Sequence, residues 1–104
     1  MVLKRVVVTG LGALTPIGNN VADYWQGLAN GVSGAAPITR FDAAKFRTHF
    51  ACELKGLDIT AHIPRQEARK MDPFTQYAMI AAEEAMQDAR LPLDQLNLEK
   101  AGVI

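Results

Sequence analysis

Cysteine is almost missing: Cys52 stands alone among 104 residues, so no internal disulfide can staple the chain. A lone thiol fits a reducing compartment. Net charge is missing too, because eleven Lys and Arg balance eleven Asp and Glu. A dedicated nucleic-acid binder carries a basic excess, so the balance argues against that class. No apolar run reaches membrane-spanning length. The stretch Val6-Val7-Val8 behind Lys4-Arg5 is too short for the core of a signal peptide. His49 and His62 have no Cys or carboxylate at zinc spacing, so no metal site is expected. The chain reads as cytoplasmic, with neither a nucleic-acid nor a membrane partner.

What is there suits a packed chain: 49% of residues are hydrophobic and 21% charged, a globular balance. Its length allows one small domain at most. Val6-Val7-Val8-Thr9 is a β-branched run that predicts a buried strand. Gly10 to Gly18 follows, with three glycines and Pro16, and predicts an ordered loop. Asn19 or Asn20 is placed to cap a helix running to about Asn30, whose stripe is Val21, Tyr24, Trp25 and Leu28. Gly31 and Gly34 end it.

Residues 35–48 read as irregular, with a helical turn near Ala43 to Phe46, and Phe50 to Leu54 as a short strand. Pro64 opens a short helix over Arg65 to Met71. Asp72-Pro73 starts a second, to about Arg90. Its inner stripe is Phe74, Ala78, Ala81, Ala82, Ala85 and Ala89. So much alanine predicts close packing on other backbone, with the uncharged first half buried. Ala101-Gly102-Val103-Ile104 reads as the start of another buried strand, which predicts that the chain is cut from a longer one. The order of elements places the chain in the α/β class.

The glycine loop does not hold a nucleotide. Gly10 and Gly12 fit Gly-x-Gly-x-x-Gly, but the third position is Thr15, and Pro16 blocks the helix that would hold the phosphates. A Gly-Lys-Ser/Thr motif is absent, so no cofactor is expected. Cys52 has neither a helix N-terminus nor a base nearby, and Glu53 beside it opposes a thiolate. It is predicted to be a buried structural thiol. Arg65, Arg69 and Lys70 gather on the short helix. They form either a solvated face, paired through Glu67, or a docking patch for an acidic partner.

Three blocks together resemble a known family. Arg5-Val-Val-Val-Thr-Gly-Leu-Gly-Ala-Leu-Thr-Pro-Ile-Gly-Asn19 is similar to the opening of the elongating β-ketoacyl-acyl-carrier-protein synthases, type II subfamily. Trp25, Leu28, Gly31, Ser33-Gly34, Ile38 and Phe41-Asp42 form the second block. Arg69-Lys-Met-Asp-Pro-Phe-Thr-Gln-Tyr-Ala78, with Ala81, Ala82, Glu84, Ala85 and Asp88-Ala89, forms the third. The resemblance implies that residues 1–104 are the N-terminal part of a thiolase-like layered αβαβα fold, in a homodimer. It implies fatty-acid elongation by decarboxylative Claisen condensation, with acyl- and malonyl-loaded acyl-carrier protein as partners. The nucleophilic Cys and the two catalytic His of the family match no residue here. Cys52, His49 and His62 are not they, so the chain alone is expected to be inactive. The basic helix before Met-Asp does carry over: Arg69 and Lys70 match carrier-binding positions. Gln66 departs from a third basic position, for which Arg65 is the neighbouring substitute. Ketosynthases of polyketide assembly and their non-catalytic chain-length subunits share the opening blocks and stand as alternatives. So does a free-standing carrier-binding module, against which the open strand edge argues.

Overall fold

Helix α1, Val21–Ala29, begins where the Asn20 side chain accepts a hydrogen bond from the Asp23 N–H at 2.8 Å. It stops at Gly31, whose φ of +63° favours a residue without a side chain. There the Gly31 N–H reaches the Leu28 carbonyl (3.1 Å) and the Val32 N–H the Gly27 carbonyl (2.9 Å), closing off the last turn. The computed structural model describes all residues, Met1–Ile104. Strands β1 (Ala36–Pro37) and β2 (Phe50–Ala51) pair antiparallel, Ala36 opposite Ala51. Helix α2 is Arg65–Ala68 and helix α3 is Pro73–Ala89, with 3₁₀ turns at Ile59–Ala61 and Leu98–Lys100. Pro64 and Asp72 sit just before the two helices. The Asp72 side chain makes no capping bond, so Pro73 with its preset φ carries the start of α3.

The glycine loop lies along α3. A Cβ on Gly12 would sit 1.8 Å from the Ala81 carbonyl oxygen, and one on Gly10 2.3 Å from that of Ala85. This is the backbone-on-backbone packing that the alanines predict. Carboxylates on α3 take up the loop's N–H groups: Leu11 donates to Asp88 (3.0 Å) and Ala13 to Glu84 (2.9 Å). The second Glu84 oxygen accepts from Val21 at the head of α1, also at 2.9 Å. The spacing works because two residues of extended chain rise about 6.6 Å and four of helix about 6 Å. Lys55 ties the far side of the loop, its ammonium donating to the carbonyls of Pro16, Gly34 and Glu53 at 2.7–3.2 Å.

Several expectations are corrected. Val6–Thr9 and residues 101–104 form no strand, because no segment of these residues lies alongside to complete a ladder. Val6 is 92% exposed. The predicted strand over Phe50–Leu54 shrinks to two residues, and the short helix ends at Ala68 rather than Met71. The α1 stripe is not buried: Trp25 is 69% exposed. The α3 stripe divides, with Ala81, Ala85 and Ala89 half-buried beneath the glycine loop and Phe74, Ala78 and Ala82 exposed. Ile80 is the residue of α3 that is buried, in a cluster with Ile63 and Ala68. Only five residues are buried in all. The accessible surface is 8994 Å², where a self-contained globule of this mass exposes about 5,700 Å².

Five substitutions test this arrangement. Gly12→Ala drives a methyl into helix backbone and is expected to lower the unfolding free energy by about 1–3 kcal/mol or more. Gly31→Ala, which meets only open space, costs about 1 kcal/mol through its φ alone. Glu84→Ala strands two N–H donors, each costing about 1–3 kcal/mol, while Glu84→Gln keeps one acceptor and falls between. Arg90 closes α3 at φ 51°, ψ 46°, with Leu91 N–H reaching the Met86 carbonyl as a terminal glycine would arrange. Arg90→Gly is therefore expected to raise stability by about 1 kcal/mol. Denaturant midpoints measure all of these.

Candidate functional site: the basic surface at the α2–α3 junction

Ala68 is the anchor of α2. It is buried against Ile63 and Ile80, with Leu57, Ile59 and Met71 packed around them. With that one residue facing inward, Arg65, Arg69 and Lys70 all stand exposed. Gln76 on α3 locks the junction: its side-chain amide donates to the carbonyls of Ala68 (2.8 Å) and Met71 (3.4 Å). The tight turn Met71-Asp72 therefore holds the two helices at a fixed angle. Lys70 pairs with Glu67 at 3.1 Å, the one ion pair in the structure, with both side chains more than half exposed. Arg65 and Arg69 have no carboxylate partner. The pairing expected through Glu67 thus takes up Lys70 alone and leaves two guanidinium groups turned to solvent.

Three further features lie outside what spacing could reveal. Arg40 reaches α3 from 37 positions away and donates to the Tyr77 hydroxyl. That hydrogen bond raises the Arg40 pKa above its already high ordinary value, so the charge is permanent. Glu53 accepts from the Thr39 hydroxyl (2.8 Å) and the Thr39 N–H. The hydroxyl bond, chiefly, holds its carboxyl below the usual carboxylate range. Asp58 is likewise lowered, first by the Thr60 hydroxyl at 2.6 Å.

Cys52 is exposed at the end of β2, which corrects the expectation of a buried thiol. The two-residue hairpin has no second layer over it to cover the side chain. His49 Nδ1 lies 2.9 Å from the Ala43 carbonyl, a structural contact. His62 lines an open groove of about 620 Å³ together with Met79, Ala82, Met86 and Leu91. No three His, Cys, Asp or Glu side chains converge as metal ligands. No helix is long and apolar enough to cross a membrane. The surface can bind anions through point charges and guanidinium forks, and it holds no nucleophile–base pair.

Known proteins share the sequence and the fold of this chain. The chain is 50% identical over 101 residues to 3-oxoacyl-[acyl-carrier-protein] synthase 2 of Synechocystis, covering 97% of this chain and 24% of the relative. It is 49% identical over 100 residues to the protein of the same name from Staphylococcus aureus strain COL, covering 96% and 24%. The chain thus spans about a quarter of the length of these relatives. Among solved structures, the ishigamide ketosynthase/chain length factor superposes with a TM-score of 0.74 at 41% identity, over 86% of this chain and 22% of that one. The thiolase-like α/β expectation holds on this likeness, with the residues here supplying the helices and a small sheet. The family model described as Beta-ketoacyl synthase, N-terminal domain, matches residues 3–104, and the chain belongs to that family.

Proposed function

We propose that this chain is the N-terminal segment of a thiolase-like ketosynthase domain that elongates fatty acids, and that it supplies part of the surface on which acyl-carrier protein docks. The observation that carries the reading is the junction itself. Ala68 and Gln76 hold α2 and the turn after it, where Arg65, Arg69 and Lys70 stand exposed, the two arginines without a counter-ion. These are the positions, Arg69 and Lys70 with Arg65 beside them, at which the resemblance places carrier contacts. Acyl-carrier proteins are strongly acidic, so the attraction acts at long range and speeds encounter.

In this reading the reaction has two stages. A Cys thiolate accepts the acyl chain from one carrier protein. Malonyl-carrier protein then loses carbon dioxide, and its carbanion attacks the thioester, releasing the thiolate again. Residues 1–104 bind and orient the carrier and take no part in bond making. Cys52 stands on a solvent-facing edge, and His49 is engaged with the Ala43 carbonyl. The reading extends to a cytoplasmic homodimer. The polyketide reading comes second. It is supported by the likeness to a ketosynthase/chain length factor, at 41% identity against 49–50% for the fatty-acid synthases.

Arg69→Glu with Lys70→Glu tests the docking role. The double reversal is expected to raise KM for carrier-linked substrates by roughly tenfold at low salt. Each exposed pair is worth about 1 kcal/mol or less, and reversal adds repulsion. Small thioesters that lack the carrier should react as before. Equal damage to both substrate types, with thermal stability intact, would refute docking. A chain of residues 1–104 alone should form no β-ketoacyl product from the two loaded carriers.

A further inference from the structure

The β1–β2 connection, residues 38–49, is built rather than slack. The Ile38 N–H reaches the His49 carbonyl at 3.0 Å and carries the pairing one step beyond the strands. The Asp42 carboxylate accepts from the Ala44 N–H at 3.0 Å. Ala43 is buried, and its carbonyl gathers the Phe46 N–H (3.0 Å) and the His49 ring (2.9 Å). Phe41 and Phe46 meet edge to face, centroids 5.5 Å apart. On this frame Arg40, Lys45 and Arg47 are all exposed, and none forms an ion pair. The two carboxylates of the neighbourhood, Asp42 bonded to the Ala44 N–H and Glu53 to the Thr39 N–H and hydroxyl, keep their charge but form no ion pair with the three bases. The loop therefore presents three exposed bases against two carboxylates.

The loop also adjoins the basic helix. Arg40 is fixed to Tyr77, the residue after Gln76, and Gln76 holds the C-terminal end of α2. Tyr77 lies ~7.5 Å along the axis from Asp72, and side chains on a helix lean toward its N-terminus. The Arg40 guanidinium and the backbone on either side of Arg69 and Lys70 are thus both tied to the opening turns of α3, through Tyr77 and Gln76.

From this juxtaposition we infer that Arg40, with Lys45 and Arg47, forms a second contact for the acidic carrier protein, continuous with the α2 surface. The inference rests on the docking reading above and extends it to a loop far away in sequence. Tyr77 is a positioning residue: it holds the Arg40 fork in place before the partner arrives, which lowers the ordering cost of binding. The exposed Phe41–Phe46 edge gives an acidic helix an apolar strip between the charges.

The experiment measures association of the synthase with acyl-carrier protein, at low and at physiological ionic strength, for Arg40→Gln, Arg40→Lys, Tyr77→Phe and the triple Arg40→Gln/Lys45→Gln/Arg47→Gln. Arg40→Gln is expected to weaken binding about threefold, mainly through a slower on-rate, and the triple by about tenfold with a shallower salt dependence. Arg40→Lys should restore most of the loss, and Tyr77→Phe should fall between. Unchanged affinity and salt slope in the triple variant, while Arg69→Glu/Lys70→Glu weakens binding, would overturn the second contact and leave the docking reading standing. If neither set weakened binding, the docking reading itself would fall, and this inference with it. A change in self-association with carrier affinity intact would show that the loop meets a second copy of the chain instead, and would equally overturn it.

Discussion

Two backbones touch in this structure, and most else follows from that contact. The extended segment from Gly10 to Ala13 lies against α3 so closely that a methyl at Gly12 would overlap the Ala81 carbonyl. Such an approach leaves no room for side chains between the two, and it would leave the loop's N–H groups without water. Glu84 and Asp88 resolve this, one helical turn apart, by accepting from Ala13 and Leu11. Glu84 then reaches on to Val21, so the same carboxylate that seats the loop also seats the head of α1. Charge-assisted bonds of this kind are about twice as strong as neutral ones. They make Glu84 and Asp88 ties for the loop, while Glu83 beside them stays on the exposed side.

The opposite end of α3 holds its neighbours through side-chain hydrogen bonds. There Gln76 and Tyr77 reach to either side, one to the backbone of α2 and the other to Arg40. Glu84 and Asp88 toward the C-terminal end hold the glycine loop, while Arg65 and Arg69 before the N-terminal end have no ion-pair partner. A chain with zero formal charge thus gathers several exposed bases near one end of α3, with Glu67 and Asp72 among them. Composition alone excludes nothing about such a surface, because balance over the whole chain conceals segregation along one helix.

Burial explains where local patterning misleads. Ile63, Ala68 and Ile80 make the central cluster, and few other side chains are shielded. Val6, Trp25 and Phe74 have the spacing of core residues yet stand open. Their apolar surface needs more neighbours than these residues provide. The relatives this chain matches are about four times its length.

The sequence by itself determined the local elements that need only near neighbours. Asn20 caps α1, Gly31 ends it, and Pro73 starts α3, because caps and preset φ angles act within one turn. The alanine stripe likewise foretold contact with backbone, and the three motif blocks carried the family. Tertiary structure decided everything that depends on distant partners. Val6–Thr9 lacks a ladder, since a strand exists only beside another. Cys52 is open because no layer covers its hairpin. Glu84, Asp88, Lys55 and Arg40 acquire their roles from groups 21 to 77 residues away. Hydrogen bonds of that kind leave no periodic trace in a sequence: their geometry comes into being only when the chain has packed.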